Sequence, residues 1–185
     1  MSLASSTDTA APAPRAAGAA PQRVPSTAEL EIELARHLSR SRRQRDQVGL
    51  LWIEVELLTR IGPAPDGGPL EAVAKAVGAR VRHRVRKTDL VYQVGDTGFA
   101  VLLNTDRSGA ELVESRLFEQ LRGPYGLDRG LLTVYISIGL AMSGDAQRQD
   151  SSLLQCAIDD VYVRPAAASA SPSPAGVIAA GSDPG

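Results

Sequence analysis

The sequence predicts an α/β fold, a central sheet flanked by helices, and three observations predict it. Segments with helical apolar spacing alternate with short β-branched runs, the pattern of helices packed on a sheet. One run, Leu50-Leu51-Trp52-Ile53, is apolar without a break, as a strand buried on both faces requires. Residues 89–104 hold two strand-like runs, Leu90-Val91-Tyr92 and Phe99-Ala100-Val101-Leu102-Leu103, joined by Gly95-Asp96-Thr97-Gly98, which reads as a β-hairpin. Gly98 is expected to take the left-handed conformation that closes this short loop with a bulge.

The elements follow in order. Residues 1–25 are rich in Ala, Pro, Ser and Thr and lack the large apolar side chains whose burial offsets ordering entropy, so they read as a disordered tail. Residues 165–185, with their Ala-Ser-Pro repeats, read the same way. One domain is left, residues 26–164. Its first helix begins at Pro25-Ser26, with Ser26 and Glu29 at capping-box spacing. Glu29, Glu31 and Glu33 lie early and Arg36, Arg40, Arg42, Arg43 and Arg45 late, which complements the helix dipole. With no aromatic residues interleaved, the arginines read as a solvated helix end and not as a nucleic-acid patch.

A strand over residues 49–55 comes next, then a turn-rich loop over 63–69. Residues 70–85 form an amphipathic helix, with Leu70, Val73, Val77, Val81 and Val85 at helical spacing and Arg80, Arg82, Arg84 and Arg86 at its end. After the hairpin, Ala110, Val113, Leu117 and Leu121 mark a helix that Gly123-Pro124 stops. Residues 131–141 alternate as a strand, with Val134, Ile136 and Ile138 on one face. Residues 152–163 form the last helix.

Composition bounds the function. The net charge of −1 gives no global attraction to nucleic acid or an anionic membrane. No apolar run approaches the ~18 residues of a membrane span, and the N-terminus lacks a basic-then-apolar signal pattern, so a cytoplasmic location is expected. The single Cys156 excludes an intrachain disulfide framework and reads as a buried thiol. His83 has no partner at metal-ligand spacing and reads as a surface residue. No cofactor and no metal are expected.

One stretch carries more. Arg86-Lys87-Thr88-Asp89 is followed by five residues and then by Gly95-Asp96-Thr97-Gly98-Phe99. This resembles the signature of the GGDEF family of bacterial diguanylate cyclases, in which an RxxD motif precedes Gly-Gly-Asp/Glu-Glu-Phe by the same spacing. Ser137-Ile138-Gly139-Leu140-Ala141 is similar to that family's Ser-Ile-Gly-Val-Ala strand, and the last helix is similar to its closing helix. The resemblance implies a GGDEF-type domain with a mostly antiparallel sheet. It also implies a chemistry: two GTP molecules, one on each half of a dimer, joined with the help of two divalent metals on hard oxygen ligands.

At the positions the resemblance assigns to that chemistry, this chain departs. Gly95 and Phe99 match the motif, whereas Asp96, Thr97 and Gly98 do not. Glu54 holds the position of the first-strand metal ligand, Gly62 that of an Asn that reads guanine, and Glu71 that of a ligand-contacting Asp. Inserting one residue before Phe99 would return Asp96 to the first acidic position, but it leaves Thr97 at the second and breaks the spacing to Asp89. Arg164-Pro165 stands where the family has a phosphate-contacting Lys region and a final strand. Arg86 and Asp89, by contrast, match the family's product-inhibition site, and Arg116 matches its assisting Arg if the preceding loop is one residue shorter. The resemblance thus implies a catalytically inactive GGDEF-like domain that binds cyclic di-GMP through Arg86, Asp89 and Arg116, without metal, and relays this to a protein partner. The alternatives are a nucleotide-free scaffold or homodimerisation module, in which Arg86 and Asp89 form only a helix-end salt bridge, and an active cyclase.

Overall fold

The computed structural model describes residues 20–44, 46–62, 68–127, 130–149 and 151–163. Strand β1 is Gln22–Val24, helix α1 Thr27–Gln44, and strand β2 Val48–Ile61. Helix α2 spans Pro69–Arg84, strand β3 Leu90–Val94, and strand β4 Gly98–Asn104. Helix α3 covers Arg107–Leu121, strand β5 Gly123–Leu127, and strand β6 Gly130–Met142. Helices α4, Ser143–Gln149, and α5, Leu153–Val163, complete the described chain. One sheet runs in the order β1-β3-β4-β2-β6-β5; β1 and β3 pair in parallel and every other pair is antiparallel.

The unbroken apolar run places β2 where it must be, in the middle of the sheet. Alternate β2 side chains enter two separate cores. Leu51, Ile53 and Val55 pack with Val73, Val77 and Val81 of α2 and Leu117 and Leu121 of α3. Leu50 and Trp52 pack on the other face with Leu30 and Leu34 of α1 and Leu153, Leu154, Cys156 and Ala157 of α5. The hairpin, the central strand and the flanking helices agree with the sequence reading. Cys156 is buried as expected. The half of the Ser26 capping box that is present is the bond from the Glu29 N–H to Ser26 Oγ, 3.3 Å.

Several boundaries differ, each for a physical reason. Gln22–Val24 was expected within the disordered tail, yet it forms β1, because its backbone pairs with Tyr92, Gln93 and Val94 across 70 positions of sequence that local composition does not register. Residues 1–19 of the first expected tail, all of the second, 165–185, and residue 164 of the expected domain lie outside the described residues. The strand expected to end at residue 55 continues to Ile61, since β6 is long enough to pair with it throughout, with a register shift between Leu57 and Thr59. Helix α2 stops at Arg84, so Arg86 sits beyond the helix and not on its last turn. Gly123-Pro124 does end α3, but it also opens β5, which pairs with β6. Most of the turn-rich loop, residues 63–67, lies outside the described residues.

The hairpin loop is closed by a different glycine. Gly95 has the positive φ, 57°, and its N–H donates to the Val24 carbonyl at 3.1 Å, while Gly98 already pairs with Val94 as the first residue of β4. Amide hydrogen exchange is expected to be slowest at residues 50–53, 101–103 and 134–138, which lie on the inner strands β2, β4 and β6. Exchange there as fast as in the short, polar α4 would contradict this core.

Candidate functional site

Two places concern function, the pocket at the hairpin tip and the turn before β3. The pocket has a volume of about 510 Å³ and is bordered by Trp52, Glu54 and Glu56 of β2, the loop residues Gly95, Asp96 and Thr97, Gly98, and Tyr135 and Ser137 of β6. The register explains the assembly: Glu54 pairs with Gly98 on one side and Ser137 on the other. The fold therefore brings Glu54, Gly95, Asp96, Thr97 and Gly98 together, as the sequence suggested.

Three other expected positions lie elsewhere. Phe99 is fully buried in the core with α2 and α3 and presents nothing to the pocket. Gly62, at the far end of β2, has φ 97° and offers its carbonyl to Arg60 Nη1 at 2.6 Å. Glu71 is exposed on α2 and borders a cleft between β1 and α2.

Trp52 decides what the pocket can do. Its indole Nε1–H donates to Glu54 Oε1 at 2.9 Å. Its ring also covers Gly98. A Cβ at position 98 would lie 2.9 Å from Trp52 Cη2, 3.2 Å from Cζ2 and 3.0 Å from the Val94 carbonyl oxygen. Position 98 is one of the two at which the family motif carries an acid, and here the indole occupies that side chain's space. Thr97, at the other, is a neutral hydroxyl. Among the described residues no group of three or more His, Cys, Asp or Glu side chains is arranged to hold a metal ion. Of the three carboxylates that border the pocket, Glu54, Glu56 and Asp96, the first has Oε1 tied to the indole, and position 98 has no room for a further acid.

The second place is built from backbone. Residues 86–89 form a turn in which the Asp89 N–H donates to the Arg86 carbonyl at 3.1 Å and the Arg86 N–H donates to Asp89 Oδ2 at 2.7 Å. Asp89 is buried, 7% exposed, and its carboxylate is an internal closure of the turn. Arg86 is exposed, and among the described residues its guanidinium makes no hydrogen bond or ion pair. The helix-end salt bridge between Arg86 and Asp89 is thus not what joins them; backbone-to-carboxylate bonding does. Arg116 is exposed on α3 with no bond to either residue.

Sequence reasoning missed Trp52, which looked like one more core residue. It also missed Arg82, whose guanidinium donates through Nη1 to the Asp89 carbonyl at 2.7 Å and through Nη2 to the Arg86 carbonyl. A signal for the first was available: a large indole on β2 and a glycine on β4 two residues from the indole's register partner Ala100, on the same face of the sheet.

The family described as diguanylate cyclase, GGDEF domain, matches residues 23–166. The diguanylate cyclase TpbB of Pseudomonas aeruginosa is 26% identical over 143 residues, which cover 76% of this chain. The chain spans about a third, 33%, of the length of that curated relative. The solved GGDEF domain of TpbB is similar with a TM-score of 0.58 at 26% identity, over 76% of this chain and 83% of that one. The active GGEEF domain of a diguanylate cyclase from Vibrio cholerae shares the fold, with a TM-score of 0.55 at 14% identity, over 75% of this chain and 89% of that one.

Proposed function

Because the chain belongs to the diguanylate cyclase, GGDEF domain, family, we propose that it is a non-catalytic member that binds cyclic di-GMP through the Arg86–Asp89 turn and relays that binding to a protein partner in the cytoplasm. The observation that carries the binding half is the exposed Arg86 guanidinium standing on a hydrogen-bonded turn. Cyclic di-GMP is a dianion with two guanine edges. A planar Arg fork serves a phosphate oxygen and a guanine acceptor together. Asp89 spends Oδ2 on the Arg86 N–H, and its second oxygen is the one this reading gives to the guanine N–H groups. Arg116 is the assisting cation. No metal enters the site, since its charge complement is Arg itself. No helix among the described residues is long and apolar enough to cross a membrane.

The inactive half is supported at the hairpin. Phosphoryl transfer between two nucleotides depends on positioning and on charge neutralisation by metal. Here Trp52 fills the place of an acid at position 98 and holds Glu54. Purified protein given GTP with magnesium or manganese is expected to form no cyclic di-GMP, because loss of a metal-ligating acid removes several kcal/mol of transition-state stabilisation. Turnover that Glu54→Ala abolishes would show the inactive reading to be wrong. The second reading, a nucleotide-free scaffold or homodimerisation module, is favoured by one observation, a groove of about 710 Å³ beside Ile32, Ala35 and Leu38 of α1. Titration with cyclic di-GMP separates the two readings.

A further inference from the structure

We propose that Arg82 is a positioning residue of the ligand site: its guanidinium sets the turn that presents Arg86. The inference rests on the cyclic di-GMP reading of that turn. Helix α2 ends at Arg84 and Val85 is extended, with φ −110° and ψ 164°, so the carbonyls of Arg86 and Asp89 lie past the reach of the helix's own N–H groups. Arg82 reaches forward from the last turn to both of them, Nη1 to Asp89 at 2.7 Å and Nη2 to Arg86. One rigid fork therefore ties the two ends of residues 86–89 to the helix. A planar guanidinium with donors on both terminal nitrogens suits two separate carbonyls in a way a single point donor does not.

Within the turn, only the Asp89 N–H to Arg86 carbonyl bond and the Arg86 N–H to Asp89 Oδ2 bond add to this closure. The Arg82 stem borders the cleft of about 380 Å³ formed by α2 with Arg23 and Gln93. The division of labour follows. Arg86 is exposed and long, and it binds well only if the backbone beneath it is already fixed, because ordering that backbone on binding would subtract from affinity. Arg82 supplies this order in advance and touches no ligand.

The test uses the full chain. Arg82→Met keeps the length of the stem and loses every donor; Arg82→Lys keeps a cationic donor without the fork. Wild type, both variants and Arg86→Ala are titrated with cyclic di-GMP in metal-free buffer, and amide exchange is followed at residues 86–89 and 50–53. Arg82→Met is expected to weaken binding about fivefold or more, to speed exchange of the Arg86 and Asp89 amides, and to leave residues 50–53 as protected as in wild type. Arg82→Lys is expected to recover part of both effects. Three results would overturn the proposal: unchanged affinity in Arg82→Met while wild type binds, unchanged exchange in the turn, or a parallel loss of protection at residues 50–53. Wild type that binds nothing, with faster turn exchange in Arg82→Met, removes the ligand reading itself and leaves Arg82 as a stabiliser of the turn alone.

Discussion

Gly139→Ala is expected to cost about 3 kcal/mol of folding stability, the top of the usual range for overpacking. On β6, Gly139 lies directly beneath α5. A Cβ there would fall on the Ala157 carbonyl oxygen and lie 2.8 Å from both Val161 Cγ2 and Val161 N. Two of these three are backbone atoms, so no side-chain rotation relieves the clash; the helix has to lift. Lifting it also threatens the bond from the Leu140 N–H to Asp160 Oδ2, 2.9 Å, which pins α5 to the strand. Thermal unfolding of the variant should begin roughly 10 °C lower, the shift expected for that loss in a domain of this size. An unchanged melting temperature would mean that α5 does not sit where the structure places it.

Arg86→Ala is expected to weaken cyclic di-GMP binding at least about tenfold, which requires only ~1.4 kcal/mol. Arg86→Lys should recover little, because an ammonium cannot reproduce the planar fork. Asp89→Asn should reduce the preference for cyclic di-GMP over cyclic di-AMP. Its effect on the turn should be small, as an amide oxygen can still accept from the Arg86 N–H. Binding that survives Arg86→Ala unchanged would place the ligand somewhere else on the protein.

How far the sequence could be read depended on whether the information was local. The apolar run at 50–53, the alternation in β6 and the helical spacing of α2 and α3 are local patterns, and each produced the element it suggested. Strand β1 was missed because Gln22-Arg23-Val24 has no strand signal of its own; its pairing with β3 makes it a strand. Helix α4 was missed because Ser-Gly-Asp-Ala-Gln-Arg-Gln carries one buried apolar residue, Ala146, and no period. The hairpin was visible but its left-handed residue was not, since both Gly95 and Gly98 could have taken that conformation. Only the packing of Trp52 shows that Gly98 is there to make room for a ring.

The candidate site divides in the same way. The gathering of Glu54 with residues 95–98 followed from strand order and was legible through the family resemblance. The roles of Asp89 and Arg82 were not, because they depend on which backbone groups α2 leaves unpaired where it stops. A sequence shows an Arg and an Asp three apart. It does not show that the carboxylate turns back onto the Arg86 N–H and leaves the guanidinium exposed.

Calorimetric titration of the wild-type chain with cyclic di-GMP in metal-free buffer tests the central claim most directly. Saturable binding in the micromolar range or tighter, unaffected by chelator, is the predicted result; no heat beyond dilution at high micromolar ligand would contradict it and leave the chain a nucleotide-free scaffold.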